Sequence, residues 1–286
     1  MQNLTGILLI LLSALGFGSM ALCAGLASKE GVDTFSLLAL RFSIASLALI
    51  ALARQRGDAW PTGGARKMYG LMGCVYAAMA WCYFSALHYA APSTVTLVLF
   101  CFPVLVAIAA GVLKLDRFGP AEWLAVIASC TGLALMTGTT LSGGVSGFVL
   151  AFLAALCYAS YIILGSKIST PASPIAASCL VLGSAAIIFS ALALSHGLHL
   201  PHSASGWLAV IFLALFSTAV AIAAFVAGLK RVGPTLASIL STLEPVVTIT
   251  LGIAFMGDKL QTNSLIGGAF ILTAAIGLTL ARMRRK

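Results

Sequence analysis

Residues 87–104, LHYAAPSTVTLVLFCFPV, are echoed by residues 229–246, LKRVGPTLASILSTLEPV. Leu87, Pro92, Pro103 and Val104 return as Leu229, Pro234, Pro245 and Val246, each 142 residues later. The echo continues beyond both stretches, since Asp116 and Arg117 return as Asp258 and Lys259 at the same offset. Apolar stretches often look alike, but prolines and a charge pair kept in one register are a rarer coincidence. The chain is therefore read as two copies of one unit, residues 1–138 and 148–286, joined by a Gly/Ser-rich linker over 139–147.

Composition says where those copies reside. Hydrophobic residues make up 61% of the 286 and charged residues 8%, against about 45–50% and about 25% in ordinary globular proteins. A soluble surface needs far more charge than this, so soluble enzymes, nucleic-acid-binding domains and disordered adaptors are excluded. A membrane helix takes roughly 20 apolar residues. Ten spans fit the chain: 4–27, 33–53, 67–90, 93–113, 120–137, 145–165, 174–195, 205–229, 234–256 and 262–281. In lipid every backbone N–H and C=O must be satisfied inside the protein. Long apolar runs without two-residue alternation do that as helices, not as barrel strands. The expected fold is all-α, an integral membrane protein of ten helices. The first span lacks a basic leader and exceeds the length of a signal-peptide core, so it is read as retained.

The basic residues orient the spans. Thirteen of the sixteen fall on one side: Arg54, Arg56, Arg66, Lys67, Lys114, Arg117, Lys167, Lys230, Arg231, Arg282, Arg284, Arg285 and Lys286. Lys29 and Lys259 fall on the other, and Arg41 lies inside the second span. The positive-inside rule then puts both termini in the cytoplasm of a bacterial-type inner membrane. The net charge of +9 faces anionic lipid and calls for no nucleic acid. Each half holds five spans, and an odd number of crossings makes the second half enter upside down.

Inverted repeats with interrupted helices are the architecture of secondary transporters, because two equivalent halves can exchange conformations about a central site. The ordered motifs reach a known family at this point. Ten spans in two five-span halves, Leu229 to Pro234 leading into Leu243-Glu244-Pro245-Val246, and Asp258 beyond them resemble the drug/metabolite transporter (DMT) superfamily. The resemblance is to its EamA-type branch, which includes amino-acid exporters of the YddG type. Arg41 in Leu40-Arg41-Phe42 resembles an arginine common in that branch's second span. Where many members carry Glu after the fourth and ninth spans, this chain has Asp116 and Asp258. The resemblance implies export, with a cavity lined by the first, third, fourth, sixth, eighth and ninth helices.

The residues can be asked separately what such a cavity would hold. Tyr76, Met79 and Tyr83 share one face of the third span, and buried tyrosine hydroxyls need partners. The first span adds Phe17 and Met20, and the sixth adds Tyr158 and Tyr161. Between the proline pairs lie the symmetry mates Thr96 with Ser238, and Phe100 with Thr242. Pro92 and Pro234 suit helix starts. Pro103 and Pro245 fall inside the expected helices, where each breaks a backbone bond and serves as a hinge. Arg41 and Glu244 are charges within spans, each costly unless paired or hydrated. Two readings of Glu244 stand: a proton carrier or substrate-ammonium partner, or a structural group pairing Arg41 or capping freed backbone. With Arg41 the one span cation, a phosphorylated substrate is disfavoured. A small neutral or zwitterionic, partly apolar molecule fits best, and larger apolar or aromatic amino acids meet that description.

Alternatives remain in view. A multidrug or nucleoside-like metabolite exporter fits the same architecture, and a membrane enzyme or scaffold belongs to a different class. No nucleotide-binding motif or catalytic triad is present. His196, His199 and His202 form a short tract, but Gly197 and Pro201 interrupt it and no cysteine or carboxylate adjoins it in sequence, so no metal site is expected. No cofactor is expected. The partners are a small-molecule substrate and the bilayer, and a monomer is the simpler assembly.

Overall fold

A computed structural model describes residues 2–115, 119–137, 143–256 and 261–284. Asp116, Arg117, Asp258 and Lys259, the outer part of the repeat motif, lie outside the described residues. The fold is all-helical. Among the described residues, eight helical segments are long and apolar enough to cross a membrane: Leu4–Lys29, Thr34–Gln55, Thr94–Val112, Val145–Lys167, Pro174–His196, Ala204–Val232, Pro234–Phe255 and Thr262–Leu280. Two more helices bring the architecture to the ten expected. One is α4 (Gly63–Ala86), whose tyrosines and glycines dilute its hydropathy. The other is α7 (Pro120–Thr137). The third span was expected at 67–90; it starts earlier because Arg66 and Lys67 can lie in its first turn and snorkel to the interface. The last three residues of the expected 139–147 linker are already helical, because α8 begins at Val145.

Several spans are interrupted. The first divides at Ser19 into α1 (Gln2–Gly18) and α2 (Met20–Lys29). The second is the continuous α3 (Thr34–Gln55), started by the Asp33 carboxylate, which accepts from the Phe35 and Ser36 amides. The fourth divides into α5 (Pro92–Leu99) and α6 (Phe102–Val112). The seventh is α9 (Pro174–His196), capped by Ser173. The eighth runs as α10 (Ala204–Ala214), a π-helical turn at Leu215–Val220, and α11 (Ala221–Val232). The ninth divides into α12 (Pro234–Ser241) and α13 (Glu244–Leu251), and the tenth is α14 (Thr262–Arg284).

The inner prolines act differently from the expectation. Pro103 and Pro245 do not sit mid-helix; each occupies the first turn of a new helix, α6 and α13. A proline ring clashes with the carbonyl four residues back. The chain avoids that clash by tightening to three-residue bonds just upstream. The Cys101 amide donates to the Val98 carbonyl at 3.1 Å, and the Leu243 amide to the Leu240 carbonyl at 3.1 Å. Both spans therefore break one turn before the proline, where its missing N–H costs nothing.

Packing reproduces the duplication. Under the repeat offset α3 maps onto α9 and α7 onto α14, and each of these pairs packs along its length. The same offset maps α4 onto α10–α11 and the first span onto α8. Accordingly α4 packs on α8, while α1 packs on α11 and α2 on α10. Close approach depends on glycine where no side chain fits: a Cβ on Gly132 of α7 would meet the Gly267 carbonyl of α14 at 2.5 Å. Two of the basic loops meet at one end. Ser173 donates from its amide to the Ala59 carbonyl at 3.0 Å and from its hydroxyl to Asp58 at 2.8 Å, and Gly6 abuts Arg231 and Val232. At the other end the Gly144 amide donates to the Tyr89 carbonyl at 2.8 Å.

Candidate functional site

Helix interruptions meet at mid-depth. The Ser19 hydroxyl, at the break in the first span, lies 2.7 Å from the Ser217 hydroxyl in the π-helical turn of the eighth. Thr248 of α13 donates to the Gly18 carbonyl at 2.9 Å, and a Cβ on Gly18 would meet the Glu244 carbonyl at 2.8 Å. Three interrupted spans thus touch one another. Irregular backbone at this depth is tolerated only where protein or a polar cavity satisfies it.

Beside these breaks lies an aromatic cluster. Tyr76 of α4 and Tyr161 of α8 have ring centroids 5.4 Å apart, and Tyr158 lies 6.3 Å from Tyr161. Phe102, at the break of the fourth span, lies tilted 4.3 Å from Tyr158, with Phe100 5.7 Å from Phe102. Phe42 of α3 meets Tyr76 edge-on at 5.7 Å, and Phe225 of α11 stacks 5.9 Å from Tyr161. All of these side chains are buried.

Two ionisable groups border the cluster. Arg41 is only 4% exposed. Its Nη1 contacts Met20 Sδ at 2.7 Å, its Nη2 reaches the Tyr76 hydroxyl at 3.4 Å, and its guanidinium carbon sits 4.3 Å from the Phe42 ring centre. Glu244, at the first turn of α13, lies beside Tyr158. The pairing of Glu244 with Arg41 admitted by the sequence is replaced by these contacts: among the described residues no ion pair joins them. Tyr76 and Tyr158 stand between the two charges. Arg41 Nε, Glu244 Oε1 and the Tyr161 hydroxyl are buried without a partner among the described residues. Such groups normally find one in protein, water or ligand.

The expected site residues divide on this map. Tyr76, Tyr158, Tyr161, Phe100 and Met20 come together with Arg41 and Glu244. Phe17 and Met79 are half-buried against the main core. Tyr83 lies apart, packed on Ala86, Ala90, Val95 and Ala151. Ser238 spends its hydroxyl on the Thr235 carbonyl at 2.9 Å. Thr242 spends its own on the Ile239 carbonyl at 2.6 Å, with Ser129 at 3.4 Å. Thr96 is half-buried in α5, its carbonyl accepting from the Phe100 amide at 3.0 Å. Phe42, Phe102, Phe225 and the Ser19–Ser217 pair were not anticipated. Phenylalanine in an apolar helix carries no distinguishing pattern, and only Phe42, beside Arg41, had a flag in sequence.

The histidine tract also needs correction. Distance in sequence hid a carboxylate: Asp33 Oδ1 lies 3.3 Å from His199 Nδ1, and the His199 amide donates to Ser36 at 2.9 Å. His196 stacks on Phe35 at 4.9 Å. These contacts tie the loop after α9 to the start of α3. No cluster of three or more metal-ligating side chains occurs among the described residues.

Comparisons with known proteins bear on the family and the fold. Over 164 residues the chain is 30% identical to the "Uncharacterized inner membrane transporter YedA" of Escherichia coli (strain K12), covering 56% of this chain and 53% of that one. The match thus spans about half the length of that relative. Over 287 residues it is 27% identical to the "Aromatic amino acid exporter YddG" of Ancylobacter novellus, covering 91% of this chain and 96% of the other. A solved crystal structure superposes with a TM-score of 0.82 at 23% identity over 98% of both chains, which shows the fold. The model of the EamA-like transporter family matches twice, at residues 4–138 and 145–280. The chain is a multi-pass membrane protein that belongs to the EamA-like transporter family.

Proposed function

We propose that this transporter exports amino acids with larger apolar or aromatic side chains across the inner membrane by alternating access. The observation that carries this reading is the mid-depth cluster of three tyrosines and four phenylalanines, bordered by one cation and one carboxyl group. An aromatic lining takes up an apolar side chain through offset and edge-on ring contacts. Unpartnered polar atoms at Arg41, Tyr161 and Glu244 offer hydrogen bonds to a polar head group. The broken fourth and ninth spans border the same cluster, so rocking about the turns before Pro103 and Pro245 would open it to either side in turn. The distant likeness to an aromatic amino-acid exporter supports the same choice, and ten spans enclose such a site within a monomer.

Radiolabel flux through purified protein in proteoliposomes tests it. Phenylalanine, tyrosine, leucine and methionine should move in a protein-dependent, saturable manner, while glutamate, lysine and glycine should not. Movement of nucleosides or hydrophobic amines in preference to every amino acid would replace this reading with the metabolite or multidrug alternative.

A further inference from the structure

Arg41 is a cation held 4% exposed within a membrane span, with no carboxylate paired to it among the described residues. Its present contacts are a thioether, a long phenol contact and the face of its neighbour's ring, none of which is a counter-charge. Buried charge of this kind is costly unless something answers it.

The geometry shows which part of the group lacks a partner. Nη1 is engaged by Met20 at 2.7 Å. Nε and Nη2 form the other edge of the guanidinium; Nε has no partner, and Nη2 has only the Tyr76 hydroxyl at 3.4 Å. That edge carries two parallel N–H groups, the fork that matches the two oxygens of a carboxylate. Met20 behind it, and Phe42 against its carbon, fix the plane of the group.

We infer that Arg41 is the carboxylate-binding residue of the transport site, its Nε–Nη2 edge gripping the substrate's carboxylate while the Tyr76, Tyr158 and Tyr161 rings take the apolar side chain. This deepens the amino-acid reading and rests on it for the remainder of the substrate. The ligand class is a monocarboxylate. A phosphate ester carries close to two charges and asks for more than one fork.

The test uses the full-length protein in lipid nanodiscs, titrated calorimetrically with L-phenylalanine, L-phenylalaninamide, phenethylamine and 3-phenylpropanoate. A fluxing panel of the same four in proteoliposomes runs beside it. Wild type should bind the two carboxylates at least about tenfold more tightly than the amide or the amine, the scale of a charge-assisted bidentate contact. Arg41→Gln should bring that acid-to-amide ratio close to one, and Arg41→Lys, which keeps charge but loses the fork, should fall between. A wild-type protein that accepts the amide as readily as the acid overturns the assignment without any variant. So does an Arg41→Gln protein that keeps the wild-type ratio. Carboxylate binding that depends on Arg41 with no protein-dependent phenylalanine flux would uphold Arg41 and overturn the amino-acid reading. Phenylalanine flux with a ratio indifferent to Arg41 would do the reverse.

Discussion

Tyr76 and Tyr83 lie two helical turns apart on α4 and share a face, yet their surroundings differ. Tyr76 touches Arg41, Phe42 and Tyr161, whereas Tyr83 packs on small residues of the fourth and sixth spans. Tyr76→Ala removes a ring and a hydroxyl from the cluster and leaves Arg41 without its phenol contact. It should lower amino-acid export at least about tenfold, on the scale of a lost aromatic contact and a buried polar group left unsatisfied. Tyr83→Ala should leave export within about twofold, since it touches no residue of the cluster; flux at matched protein density checks both. Single residues were legible in sequence only where their chemistry stood out from an apolar background. Tyr76, Tyr158, Tyr161, Arg41 and Glu244 did so. Phe102 and Phe225 did not, because phenylalanine fills lipid-facing and site-facing positions alike and only the tertiary fold separates them.

Proline announced the breaks in the fourth and ninth spans, though one turn away from where they occur. The breaks at Ser19 and at Leu215–Val220 have no proline, so nothing in their sequence marked them. Insertion of one residue into a helix as a π-turn leaves carbonyls without regular donors and recurs at functional positions. Thr218 answers one of them, donating to the Leu213 carbonyl at 2.8 Å, while Ser19 donates to the Gly16 carbonyl at 2.7 Å and meets Ser217. Ser19→Ala and Ser217→Ala should therefore be coupled. A double-mutant cycle on thermal unfolding in detergent should give an interaction of about 0.6 kcal/mol, the mean for interhelical hydrogen bonds in membranes. Strict additivity would show that the 2.7 Å contact contributes nothing to stability.

Over the whole molecule, the number of crossings was legible because two independent signals agreed: apolar length and the segregation of basic residues. The loop contacts that bring residues 58–59 to 173 and the start of α1 to the end of α11 join basic segments of both halves at one end. A reporter that fluoresces only in the cytoplasm should be bright at either terminus and dark when inserted between residues 198 and 202. A bright signal at that loop would contradict the orientation drawn from charge. What sequence could not convey was the meeting of remote segments, such as Asp33 with His199 or Ser19 with Ser217, since each contact joins positions with no local pattern in common.

The duplication has an uneven mechanical outcome. The first and eighth spans pack together and are both interrupted at one level, whereas their counterparts α8 and α4 pack together as unbroken helices. One wall of the molecule is thus jointed and the other is a pair of struts. Copies of one unit thus differ in continuity, so in the proposed alternating cycle the two openings would not be mirror images: the jointed wall would bend at its breaks and the unbroken wall would turn as one piece.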